Sequence, residues 1–202
     1  MNVLIACEES GTVRDAFIKK GHNAISCDIL PTSSPGPHMQ GNVIDVLNME
    51  WDLIIAHPPC TYLCNSGVCH LFDKNGERDV FRWEQLARAK DFVSDILGAK
   101  CKRICVENPI PHKYGLGKTY SQIIQPYEFG HPERKATCLW LKGLPKLIAT
   151  KNVKEKMLSL PKSESQRLHY MSPGPERSKL RSKTFQGIAD AMAKQWGDLL
   201  NI

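Results

Sequence analysis

The sequence predicts an α/β domain: an open, mostly parallel sheet with helices on both faces. Three observations predict it. Short continuous apolar runs (Val3–Cys7, Asp52–Ala56, Arg103–Val106) read as strands buried on both sides. Stretches with apolar residues three and four apart alternate with those runs, as crossover helices do. The chemically unusual residues fall at the carboxyl ends of the runs, where such sheets place their sites.

In order along the chain, Val3–Cys7 is the first strand and Glu8-Glu9-Ser10-Gly11 the turn after it. Thr12–Lys20 carries Val13, Ala16 and Phe17 on one helical face and is stopped by Gly21. Asn23–Cys27 is a second strand ending in Asp28, which completes a strand–helix–strand unit. Pro31 to Gly41 is a Pro/Ser/Gly loop, and Val43–Val46 reads as a short strand or a turn. Asp52–Ala56 ends abruptly in His57-Pro58-Pro59-Cys60, because two prolines cannot continue a ladder. Residues 79–98 form the clearest helix, with Val80, Trp83, Leu86, Ala87, Val93, Ile96 and Leu97 at helical spacing and Gly98 as its stop. Arg103–Val106 is a strand ending in Glu107-Asn108-Pro109, and Thr137–Leu141 is another. A final helix, Phe185–Leu200, aligns Ile188, Met192, Trp196 and Leu199/Leu200.

A chain of 202 residues with 42% hydrophobic and 24% charged residues packs a core of its own. It has no apolar run long enough to span a membrane, and its N-terminus lacks the basic and apolar regions of a signal peptide. A soluble cytoplasmic protein is expected, as monomer or homodimer. Eight cysteines, several inside apolar runs, are expected as reduced thiols.

The net charge of +6 is unevenly spread. From Lys142 to Lys183, eleven Lys/Arg face three Glu, a net of +8, and the remainder carries −2. A concentrated positive segment on a near-neutral body suits a polyanion such as DNA.

A glycine after the first strand and an acid ending the second form the general nucleoside-cofactor pattern, the acid accepting from ribose hydroxyls. Glu8 and Glu9 would repel a pyrophosphate, so a cofactor without phosphates fits better, and S-adenosylmethionine is the obvious one. Pro58-Pro59-Cys60 aims a thiol into the cleft from a buried strand end, where it can act as a nucleophile. Glu107 places a carboxylate at a neighbouring strand end, a proton partner for a ring nitrogen.

In this order the residues resemble the DNA cytosine-5 methyltransferases. Val3–Gly21 is similar to that family's first cofactor motif at Cys7, Gly11, Arg14, Ala16 and Gly21, departing from it at Glu9 and Thr12. Asp28 matches the ribose-binding acid, and Asp45 resembles the adenine-binding acid. Pro58-Pro59-Cys60 matches the catalytic loop and Glu107-Asn108 the glutamate motif. Tyr127 to Lys135 resembles the segment that supplies basic groups to the target base, through Arg134 or Lys135. Arg181–Trp196 resembles the closing motif. The family's large target-recognition domain is missing, as in small phage-borne proteins that look similar.

The resemblance implies a Rossmann-like S-adenosylmethionine-dependent methyltransferase fold. It implies catalytic residues Cys60, Glu107, Arg134 and Lys135. It implies cofactor contacts from Cys7, Glu8, Glu9, Ser10, Gly11, Asp28, Ile29, Asp45, Val46 and Pro58. Residues 1–141 are expected as catalytic and cofactor-binding core, 142–180 as a basic, loop-rich reduced recognition region, and 181–202 as a helix returning to the core. The implied activity is methylation of cytosine C5 in DNA through a Cys60 adduct. The competing readings are C5 modification of free deoxycytidine nucleotides and a catalytically silent DNA-binding protein. Amino-methyltransferases, which follow their Pro-Pro with a stacking aromatic, fit less well, since that place is Cys60.

No metal is expected: Cys60, Cys64, Cys69 and His70 approach a zinc pattern but lack paired CxxC knuckles. His38, His57, His112 and His131 are expected as loop hydrogen-bonders, and Trp83, Trp140 and Trp196 as packing residues.

Overall fold

The structure, a computed structural model, describes residues 1–200; residues 201–202 and the side chains at 175, 176, 178 and 200 lie outside it, and with them the end of the expected segment 181–202. Seven strands form one sheet: β1 (Asn2–Ala6), β2 (Asn23–Asp28), β3 (His38–Gln40), β4 (Leu53–Ala56), β5 (Ile104–Pro109), β6 (Gln122–Ile124) and β7 (Thr137–Lys142). Their order is β3-β2-β1-β4-β5-β7-β6. The ladders among β1 to β5 are parallel, and β7 runs antiparallel to both β5 and β6. This is a Rossmann-like α/β fold, with the strand order reversing between β1 and β4 so that a crevice opens at their carboxyl ends.

The inner strands are apolar throughout because both their faces are covered. Val3, Ile5, Leu53, Ile55 and Cys105 point into one core, with Val13, Phe17, Ile188, Met192 and Trp196. The intervening residues Leu4, Ala6, Ile54, Ala56, Ile104 and Val106 point into the other, with Leu86, Val93 and Ile96. Period-two alternation thus sorts two apolar sets rather than separating apolar from polar.

Helices α1 (Thr12–Lys19) and α7 (Gln186–Gly197) cover the first face together. Trp196 is fully buried, and its indole N–H donates to the Pro145 carbonyl at 3.1 Å. The opposite face is covered by α2 (Val80–Gly98), whose start is capped by Asp79 accepting from the Arg82 N–H.

The basic segment differs from its expectation. Where residues 142–180 read as loop-rich, they hold α3 (Lys154–Ser159), α4 (Lys162–Ser165), α5 (Arg167–Tyr170) and the start of α6 (Pro175–Ser182). Pro161 and Pro175 do not break helices here. They stand at helix starts, where a missing N–H costs nothing. Strands β3 and β6 were hidden in stretches read as loop, and Val43–Asp45 is a single 3-10 turn. The last helix stops at Gly197, followed by a 3-10 turn at Asp198–Leu200.

Candidate active site

The carboxyl ends of β1, β2 and β4 open onto a cavity of about 710 Å³, within the usual range of small-ligand sites. Of the ten expected cofactor contacts, Cys7, Glu8, Glu9, Ser10, Asp28 and Ile29 line it. Gly11, Asp45, Val46 and Pro58 do not; Asn42, Val43, His57 and Pro59 stand in for the last three. Asp45 is exposed on the far side of its turn, and the Val46 carbonyl accepts from the Trp51 indole.

The turn after β1 is built around Glu8. Its carboxylate accepts from the Val13 and Arg14 N–H groups at 2.7 and 3.2 Å and so closes the start of α1. Cys7, at φ 57°, is in the left-handed region, and burial pushes its thiol up to about 12. Gly11 takes φ 70°, and a side chain there would run into the Arg14 guanidinium and Ser34.

Arg14 is wholly buried. Its guanidinium donates to Ser26, Thr32 and Ser34 hydroxyls and to the Pro35 and Pro37 carbonyls. Its Nε pairs with Asp15 at 2.8 Å. The contacts to Thr32, Ser34, Pro35 and Pro37 turn a Pro/Ser/Gly stretch into a fixed wall above β2, and Ile29 and Leu30 just before it face the cavity. The Asp28 carboxylate accepts from the Leu30 N–H at 2.9 Å, which fixes its direction.

The β4 and β5 ends are joined differently. His57 Nδ1 lies 2.7 Å from Glu107 Oε2, with both side chains about nine-tenths buried. Burial opposes the imidazolium, but the hydrogen bond and charge of Glu107, helped by Glu8, raise its pKa above the ordinary 6.5. Burial likewise opposes the carboxylate, yet His57, with Lys135 behind it, holds Glu107 below the ordinary 4.5. Asn108 Nδ2 donates to the Pro58 carbonyl at 2.9 Å and ties the Pro-Pro turn to β5. His57 Nε2 and Asn108 Oδ1 are buried without any partner.

Cys60 opens a turn in which the Leu63 and Cys64 N–H groups donate to its carbonyl. The neighbouring Cys64 thiol and burial push the Cys60 thiol up, and the Arg181 guanidinium opposes them. Cys60, the Ser66 hydroxyl and the backbone of Ser66 and Gly67 push the Cys64 thiol down to about 5, against burial.

The basic pair expected from the 127–135 segment separates. Lys135 reaches the site: its charge acts on both His57 and Glu107, and its Nζ donates to the Lys183 carbonyl at 3.2 Å. Arg134 is exposed, and its Nε lies 3.2 Å from Met157 Sδ. The segment docks instead through His131, whose Nε2 accepts from the Gly187 N–H at the start of α7.

Sequence reading missed the third wall. Gln85, Arg88 and Phe92 of α2, with Tyr62, face the cavity, and so do Ser182, Lys183 and Thr184 from the end of the basic segment. The polar face of α2 and the segment's charge were visible signals. Their direction depends on a return path that no local pattern encodes.

The remaining side chains are placed as follows. His38 bonds Ser26 and Leu30, and His112 bonds the Tyr62 carbonyl, as loop ties. Trp140 and Trp196 are core, whereas Trp83 is half-buried in an aromatic cluster with Phe72 and Tyr114. All eight cysteines are free thiols. Among the described residues no three His, Cys, Asp or Glu converge as a metal site, and no helix is long and apolar enough to cross a membrane.

No protein-family model matches the chain, and no curated protein sequence matches it. Among solved structures it is similar to a prophage-encoded DNA modification methyltransferase of E. coli, at TM-score 0.45 and 17% identity over 80% of this chain and 55% of that one. It is similar to the Entamoeba histolytica methyltransferase EhMeth at TM-score 0.46 and 19% identity, over 75% and 57% of the two chains. A Spodoptera frugiperda DNMT2 variant gives TM-score 0.40 and 13% identity over 75% and 54%. The chain spans a little over half the length of these proteins.

Proposed function

We propose that this protein is an S-adenosylmethionine-dependent DNA methyltransferase acting on cytosine C5 through Cys60. One observation carries the reading. The cofactor-type wall (Glu8, Asp28, Ile29) shares its cavity with His57, Pro59 and Thr61; the last two flank Cys60, which does not itself line it, and His57 is bound to Glu107.

The cavity fits the cofactor. Ile29, Leu30, Val43 and Phe92 offer an apolar slot for an adenine, and Asp28 an acceptor for ribose hydroxyls. Glu9 adds negative charge for a cationic tail. Glu8, spent on α1, leaves no seat there for a phosphate. Bound there, S-adenosylmethionine supplies the electrophilic methyl group.

Cytosine C5 is too weak a nucleophile to take that group unaided. Cys60 gives up its proton to solvent before it attacks, and the Arg181 guanidinium favours its thiolate. Addition of that thiolate to C6 turns the ring into an enamine and concentrates electron density on C5. Glu107, kept ionised, accepts from the exocyclic amine and from a protonated N3, stabilising the charge as it develops. Lys135 and Arg181 hold positive charge over the same edge. In a duplex the base must leave the stack, at a cost of a few kcal/mol. The basic segment 142–180 serves as a reduced DNA-contacting region, its end at the cavity mouth.

The test is transfer of labelled methyl from S-adenosylmethionine to duplex DNA, single-stranded DNA and free dCMP in parallel. Label on DNA cytosine C5 that disappears in Cys60→Ala, with cofactor binding retained, is the expected result. Label on dCMP alone moves the function to nucleotide modification. A fully active Cys60→Ala overturns the mechanism.

A further inference from the structure

We infer that His57 is the base that removes the C5 proton of cytosine, oriented for that step by Glu107. The inference rests on the cytosine-5 reading above.

After methylation C5 carries both a methyl group and its original hydrogen, and the ring is still joined to Cys60 at C6. Finishing the reaction needs a group that accepts a proton between the nucleophile and the methyl donor. His57 stands at that junction. It follows β4 directly, three residues before Cys60, and lines the cavity with Cys7 and Glu8.

Its two nitrogens have different fates. Nδ1 is committed to Glu107 at 2.7 Å. With the proton held there, the lone pair is on Nε2. That atom is buried and has no partner within the protein. His112, a loop tie, pairs its Nε2 with the Tyr62 carbonyl. His57 lines the ligand cavity with its second nitrogen left unpaired, so that nitrogen is available to an atom of a bound ligand. A carboxylate on one imidazole nitrogen and a free second nitrogen form the arrangement in which a histidine works as a base, because the carboxylate fixes the tautomer and stabilises the imidazolium.

The step balances within the enzyme and its substrate. Nε2 takes the C5 proton, and the electron pair of the C5–H bond becomes the C5–C6 double bond. The C6–S bond breaks with its pair on sulfur, returning Cys60 as a thiolate. His57, now imidazolium, is paired with Glu107 and loses its proton to solvent when the site opens.

The charged groups facing His57 are Glu107 from β5, Glu8 from the turn after β1 and Lys135 from the segment before β7. The two carboxylates favour the imidazolium, whereas burial and Lys135 oppose it. Base action therefore grows as pH rises through a value above 6.5.

The experiment compares wild type, His57→Gln and Cys60→Ala on DNA carrying tritium at cytosine C5, reading tritium release and covalent protein–DNA complex on denaturing gels. Wild type should release tritium in step with methylation and show little complex. His57→Gln should still add to the base but accumulate the covalent complex, with tritium release down about 100-fold. Cys60→Ala should form no complex. In wild type, release should rise with pH above 6.5 while complex formation does not follow it. A His57→Gln protein that releases tritium at the wild-type rate, or a wild-type release profile flat in pH, overturns the inference and leaves the cytosine-5 reading standing. A His57→Gln protein that binds cofactor yet forms no complex also overturns it, in favour of bracing alone. A wild-type protein that forms no complex and labels no cytosine overturns both.

Discussion

The two halves of the sheet's carboxyl edge are built on opposite principles. On the β1–β2 side every donor of Arg14 is engaged, Glu8 is spent on α1, and the loop above is held from within. On the β4–β5 side a buried ion pair leaves His57 Nε2 and Asn108 Oδ1 without partners. A side whose hydrogen bonds are complete makes a rigid wall. A side that keeps buried polar atoms open is poised for something that is not protein.

Three perturbations sharpen this contrast. The largest effect is expected on the open side. Glu107→Ala leaves the buried His57 without its hydrogen-bonded counter-charge, at a cost of about 3–5 kcal/mol in urea unfolding, together with loss of methyl transfer. Arg14→Ala should cost about 3 kcal/mol, since it strands several buried acceptors at once. Its damage should stay on its own side: cofactor binding weakens, while the Cys60–Cys64 pair keeps its reactivity toward a thiol reagent. If Arg14→Ala left cofactor binding intact, the contrast between the two sides would fail.

The smallest effect is a pH signature of the ion pair. Folding raises the pKa of His57, so its contribution is full below 6.5 and fades as pH rises through the raised value. Folding lowers that of Glu107, so its contribution is present above 4.5 and fades as pH falls through the lowered value. The stability difference between wild type and His57→Gln should therefore be greatest between pH 4.5 and 6.5 and shrink on both sides.

What could be read beforehand followed from burial. Strands β1, β4 and β5 are buried on both faces, so their composition alone marked them, and the helices with one apolar stripe were equally plain. Strands of three residues, β3 and β6, are too short to show a period, and they form by pairing with neighbours already in place. Cys60 and Glu107 were visible because prolines and strand ends flagged them. The partnership of His57 with Glu107 was not, because it links residues fifty apart through the register of β4 on β5. Lys135 and Arg134 were equivalent in the sequence, and only the docking of His131 on α7 tells them apart.

The carboxylate of Glu8 also decides which small molecules can compete for the cavity. Abundant adenosine compounds such as ATP and NAD share the moiety this slot would accept, but each brings phosphates that seek a helix N-terminus. At α1 that position already holds an internal anion bonded to two N–H groups, with Glu9 and Asp28 close by. A phosphate would have to displace a tethered competitor against like charge. Excess nucleotide would therefore leave the cavity free, and the protein could work in the presence of common metabolites without any element devoted to excluding them.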